Sequence, residues 1–176
     1  MSTLHVENLK GLSSGGNANK IIVPSGQELH APGHVIQIQH ASFDGNANST
    51  TGTSFVDTLV TINITPKFAT SKILVTVHQV VSINDGVNNT RCDFRCIESN
   101  SSTEIYRIDY FGSDGNVSNL QKNCSGSGVF QCSNTNQLTF KTQVQRANAS
   151  NLEAALIYQN WFAGGKLTIT ALEIAQ

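Results

Sequence analysis

The chain has 176 residues and a mass of 18.9 kDa, enough for one domain that buries about 70% of its unfolded surface without disulfides or metals to hold it. Eleven basic residues against twelve acidic ones, with no block of like charge, exclude an electrostatic footprint for nucleic acid or an anionic membrane, and no apolar run approaches the roughly 20 residues of a membrane span. Val, Ile and Thr supply 43 residues against 24 for Ala and Leu, which is strand chemistry, and the start Met1-Ser-Thr-Leu-His5 has neither the basic nor the apolar region of a secretion signal.

Residues 1–33 read as an arm. Leu4 and Val6 begin an alternation, joined by Leu9, that dissolves into Gly11-Leu-Ser-Ser-Gly-Gly-Asn-Ala-Asn19, too polar and Gly-rich to fold alone. Lys20 to Pro24, with Ile21, Ile22 and Val23, reads as one short strand closed by the turn Pro24-Ser-Gly26. These six apolar side chains cannot cover themselves, so the arm is expected to anchor the chain on another body.

From His34 the apolar period is two, the signature of half-buried strands. His34 to His40 alternates Ile36 and Ile38 with Gln37 and Gln39. Ser54 to Thr65 puts Val56, Val60, Ile62 and Ile64 on one face, and Lys72 to Ile83 does the same with Ile73, Val75, Val77, Val81 and Ile83. Further strands are expected at Thr90 to Glu98, Thr103 to Phe111, Gly128 to Cys132, Gln137 to Ala147, Glu153 to Phe162 and Lys166 to Ala175, which makes nine. Asn151 to Tyr158 is the only stretch with an argument for a helix, and strand patterns flank it. Turn signals at Asp44-Gly-Asn46, Asp85-Gly86, Asp114-Gly-Asn116 and Gly164-Gly165 recur between the strands. The expected fold is all-β: an antiparallel β-sandwich head of the jelly-roll kind over residues 34–176, preceded by an extended anchor arm.

Chemistry-bearing residues are sparse. Cys92 and Cys96 stand about 13 Å apart along one strand, too far to pair, and read as buried free thiols. A hairpin centred on Gly128 would put Cys124 opposite Cys132, the one candidate disulfide, although a chain folding in a reducing cytosol normally keeps its thiols. His34 and His40 lie about 20 Å apart, too far to share a metal within one chain, and no GxSxG, HExxH or phosphate-cradling loop is present. The reading is therefore a non-enzymatic protein with no cofactor and no metal. In the Trp161-Phe162 pair one ring must face outward, and Trp161 is the candidate subunit contact. In the last strand the apolar alternation changes face between Ala171 and Leu172, so a bulge over Thr170 to Leu172 is expected to turn Leu172 and Ile174 inward and Glu173 outward.

Three segments together carry a resemblance. Asn17-Ala-Asn-Lys-Ile-Ile-Val-Pro-Ser-Gly-Gln27 resembles stalk or adaptor stretches of bacteriophage tail-fibre proteins, especially of marine phages. Ile64-Thr-Pro-Lys67 with Ser71-Lys-Ile-Leu-Val75, and the terminal Lys166-Leu-Thr-Ile-Thr-Ala-Leu-Glu-Ile-Ala175, are similar to the globular module those proteins carry. The resemblance implies a virion structural protein, a homotrimer with a β-sandwich head. Its arm would hold it to capsid, tail or portal-proximal proteins at the virion surface, as a head decoration or a short tail fibre, after synthesis in the bacterial cytoplasm. The alternative is an adhesin tip that binds a host surface glycan during host attachment.

Overall fold

In the computed structural model the described residues are 31–43, 49–50, 52–83, 91–112, 120–147, 155–156 and 167–176, with isolated positions among the first thirty. The chain divides into two units, Met1–His30 and Ala31–Gln176. Within the first, Gly15 takes a left-handed φ of 91° and accepts a hydrogen bond from the Ala18 amide. Ile22 and Val23 are exposed and belong to no strand, while Leu4, Val6, Leu9 and Ile21 lie outside the described residues.

Among the described residues the regular elements of the second unit are all strands: β1 (Val35–Phe43), β2 (Ser49–Thr50), β3 (Val56–Ile64), β4 (Lys72–His78), β5 (Val80–Ile83), β6 (Arg91–Glu98), β7 (Thr103–Gly112), β8 (Leu120–Asn123), β9 (Gly126–Gln131), β10 (Leu138–Arg146), β11 (Ala155–Leu156) and β12 (Leu167–Ile174). One four-stranded sheet runs β1-β12-β4-β9 and the other β3-β10-β6-β7, every pairing antiparallel. Counting only these eight long strands in chain order, the sheets read 1-8-3-6 and 2-7-4-5. That order is a jelly roll. Two short ladders extend it, β5 with β8 and β2 with β11.

The core lies between the sheets, where β3, β4 and β12 bury alternate residues and the inward side chains of β6 and β10 meet them. Ile73, Val75, Val77, Leu167, Ile169 and Ala171 from the first sheet meet Val60, Ile62, Ile64, Phe94, Phe140 and Val144 from the second. Cys92 and Cys96 are buried free thiols in this core, as expected.

The expected Lys72 to Ile83 strand is interrupted at Gln79, whose carbonyl accepts a hydrogen bond from the Cys124 amide. The Gln79 side chain turns inward, where its Oε1 accepts from Thr142 Oγ1 at 2.8 Å, and Thr142 in turn bonds Thr58. Of the segment that could be argued helical, Ala155–Leu156 is a strand paired with Ser49–Thr50. β8 falls in a polar stretch where alternation gave no signal.

The expected hairpin at Gly128 does not form. β9 instead pairs with β4, Gly128 opposite Val75, while β8 pairs with β5. Cys124 and Cys132 therefore sit beyond opposite ends of β9, eight residues or about 26 Å apart along an extended chain, and both are buried free thiols. The candidate disulfide is excluded by this register. Burial pushes the thiols up, Cys124 to about 12 and Cys132 to about 11, the latter aided by Glu173. A thiol reagent added to native protein at neutral pH is expected to label none of the four cysteines rapidly, and to label all four after denaturation. Two unreactive cysteines in denatured, unreduced protein would overturn this.

Candidate interaction surface

The two outer faces of the sandwich differ in chemistry. On the β3-β10-β6-β7 sheet, the registers align Asp57, Gln143, Arg95 and Arg107 in one row across four strands. Gln143 Nε2 donates to Asp57 at 2.6 Å, Arg95 Nε donates to Gln143 at 2.8 Å, and Lys141 reaches Asp57 at 2.8 Å. Gln145 donates to Asp93 at 2.7 Å; Arg107 pairs with Asp109, and Arg107 and Arg95 both approach Glu104. The Arg95 guanidinium stacks 3.7 Å above the Phe55 ring. Burial alone would raise the Asp57 pKa, yet the hydrogen bonds from Gln143 and Lys141 hold it below the usual carboxylate value. Such a face, its charges already satisfied by one another, is at home against water.

The β1-β12-β4-β9 sheet presents the opposite chemistry. Its registers set Ile38 against Leu172, Leu172 against Leu74, and Leu74 against Val129. These four side chains form an apolar row straight across the outer face. Its ends are bare: Ile38 is 59% exposed and Val129 56%, while Leu172 and Leu74 are half-buried. The next row on one side is His40, Thr170, Thr76 and Ser127, and on the other Ile174, Lys72 and Gln131. No carboxylate points from this face among the described residues, and Lys72 is its only permanent charge.

Two departures from the sequence reading create this row. The alternation of β1 is as expected but its sense is reversed: Ile38 points outward, and Gln37 turns toward Glu173. In β12 the expected bulge at Thr170 to Leu172 is absent, since pairing with β4 is regular from Thr168 to Ile174. The irregularity lies in β1, between Val35 and Gln37. Glu173 consequently lies on the inner face with Leu167, Ile169 and Ala171, at 0% exposure, and Leu172 faces out.

The Glu173 carboxylate is held by amide donors. Its Oε1 accepts from the Lys67 amide at 2.8 Å and the Phe68 amide at 3.2 Å, and its Oε2 from Gln37 Nε2 at 2.6 Å. Burial raises its pKa, and the polar groups around it, with Ser71, Gln37 and the two amides among them, lower it by more, so the group stays ionised below its ordinary value.

Glu98 repeats the device at the end of β6. Its Oε1 accepts from the Asn100 amide at 3.1 Å and the Thr139 amide at 3.3 Å, and its Oε2 from the Ser101 amide and hydroxyl, each at 2.7 Å. This carboxylate floors a cavity of about 240 Å³ lined also by Phe130, Cys132, Asn134, Asn136 and Leu138. Its hydrogen bonds shape the turn at 99–102. Trp161, the expected subunit contact, lies outside the described residues.

Neither a protein-family model nor a curated protein matches the chain. Among solved structures it is similar to that of the infectious bursal disease virus Gt strain, with 13% identity and a TM-score of 0.44 over 99% of this chain and 47% of that one. It is also similar to the VP2 subviral particle of infectious bursal disease virus, with 13% identity and a TM-score of 0.42 over 94% and 42%. The insecticidal delta-endotoxin Cry8Ea1 from Bacillus thuringiensis shows 14% identity and a TM-score of 0.40 over 74% and 20%. The chain spans less than half the length of each of these proteins. Its jelly-roll order stands on the strand registers themselves.

Proposed function

We propose that this protein is a non-enzymatic structural subunit of a bacteriophage virion. It is a homotrimer attached through residues 1–33 to a capsid or tail surface, where it serves as a decoration protein or short fibre. Fold class by itself does not assign function. The observation that carries the reading is the unequal chemistry of the two outer faces: one has its charges internally paired, and the other has an apolar row and, among the described residues, the single charge of Lys72, which suits contact with protein. Three tethered arms bind as one body, so weak individual contacts sum through effective concentration.

Deleting residues 1–33 tests the attachment. Among the described residues the core is carried by the strands from Val35 onward and the segments between them, so the truncated chain is expected to keep the circular dichroism and melting profile of the sandwich and to vanish from purified particles. Full occupancy of the truncated protein on particles would show that the head makes the attachment. A second reading, binding of a host surface glycan, is favoured by the cavity beside Glu98, where the Phe130 ring and the Asn134 and Asn136 amides offer a mixed apolar and hydrogen-bonding lining.

A further inference from the structure

We propose that the Ile38–Leu172–Leu74–Val129 row on the outer face of the β1-β12-β4-β9 sheet is where a second copy of this chain seats, and that it forms the contact of the trimer. The inference rests on the trimer reading above and names the surface that makes it.

Charge is the first argument. Two copies meeting through this face bring no carboxylate to the contact from the described residues, and each brings a single lysine, Lys72 on the inner strand β4, one row from the apolar one. The other outer face would have to break or bury Asp57, Lys141, Arg95, Glu104, Arg107 and Asp109, whose pairing water already favours. The difference in desolvation cost selects the face with one lysine over the face with six charged groups.

The second argument is the direction of the row. It crosses all four strands at one register level, perpendicular to them. When three copies are placed with their strands along a threefold axis, the three rows fall in one layer around it. Cyclic closure then covers Ile38 and Val129, the exposed ends that one copy leaves bare.

Area sets the strength. Four strands about 4.8 Å apart and seven residues at about 3.3 Å give a patch of roughly 19 by 23 Å, about half of the roughly 800 Å² that each partner contributes to a standard interface. Association through it is therefore modest and concentration-dependent, suited to subunits brought together on a particle.

The test is sedimentation equilibrium of the full chain between about 1 and 100 µM, a range that brackets micromolar affinity. It is run beside Ile38→Lys, Val129→Lys and the control Leu59→Lys, which places the same charge on the other outer face. Because all three positions are at least 40% exposed, the variants should fold, and circular dichroism checks that. The expected result is a native mass rising from 18.9 kDa toward about 57 kDa, with Ile38→Lys and Val129→Lys held at 18.9 kDa and Leu59→Lys like the native chain. A native trimer that both row variants leave intact overturns this contact while the trimer reading survives. A native dimer of about 38 kDa that the row variants abolish supports the seat and overturns the trimer. A native chain at 18.9 kDa throughout overturns both, and the reading of a virion subunit is then judged separately by incorporation into particles.

Discussion

Glu173→Leu is expected to cost about 3 to 5 kcal/mol and to lower the melting temperature by roughly 10 °C, although it replaces a buried charge by an apolar side chain of similar size. The carboxylate sits among core residues at 0% exposure, and sequence patterning alone would welcome leucine there. The cost comes from its partners. The Lys67 and Phe68 amides and the Gln37 amide group each lose an acceptor, and leucine offers none. Glu173→Gln keeps an acceptor and should fall between native and leucine. Differential scanning calorimetry of the three proteins decides it, and a leucine variant as stable as the native chain would show that water replaces the carboxylate at no cost.

The same carboxylate, with Glu98, sets the acid limit of the fold. Both have folded-state pKa values held below 4.5, the value expected in the unfolded chain. Stability from a depressed carboxylate is fully present above the unfolded pKa and is lost as pH falls through the folded one. Stability should therefore be level with respect to these two groups from pH 7 down to about 4.5 and decline below it. In Glu173→Gln the decline should be shallower. An unchanged acid slope would mean that Glu173 does not titrate with folding.

Gly128→Ala is expected to be as damaging, at about 3 kcal/mol or more, from the addition of one methyl group. A Cβ at Gly128 would stand 2.1 Å from the backbone carbonyl oxygen of Ile105, and one at Gly126 would stand 2.1 Å from the Tyr106 ring. β9 of one sheet lies hard against β7 of the other at this side of the sandwich, and Tyr106 reinforces the approach by donating its hydroxyl to the Ser125 carbonyl at 2.7 Å. A flexible side chain could swing away, but a backbone carbonyl can yield only by moving β7 itself, here at the point where its register with β6 shifts past Ile105. Ser127→Ala, whose side chain points outward between the two glycines, should melt like the native protein. If Gly128→Ala melts within about 2 °C of native, the shift expected for about 1 kcal/mol or less, the sheets have room that these contacts deny.

Residue order was sufficient for the all-β class and for the buried faces of β3, β4, β6 and β10. In β3 and β4 the buried positions alternate strictly, and a slip of one residue would expose a whole row such as Val60, Ile62 and Ile64. It was sufficient also to exclude a bond between Cys92 and Cys96, because an extended strand fixes their separation. It could not decide which face of β1 turns inward. Isoleucine and glutamine alternate there with equal regularity, and the choice fell to a carboxylate 136 residues away that needed the Gln37 amide. Nor could it show that Glu173 is buried against the Lys67 and Phe68 amides, because these donors are backbone amides of a distant turn and carry no mark in the side-chain pattern. Gly126 and Gly128 likewise read as a turn until the opposing sheet supplied Ile105 and Tyr106. Local periodicity encodes how each strand meets the core. Which apolar residues are left over for the outside, Ile38 and Leu172 among them, follows from hydrogen bonds and close approaches between strands far apart in the chain, and only the assembled sandwich could decide that.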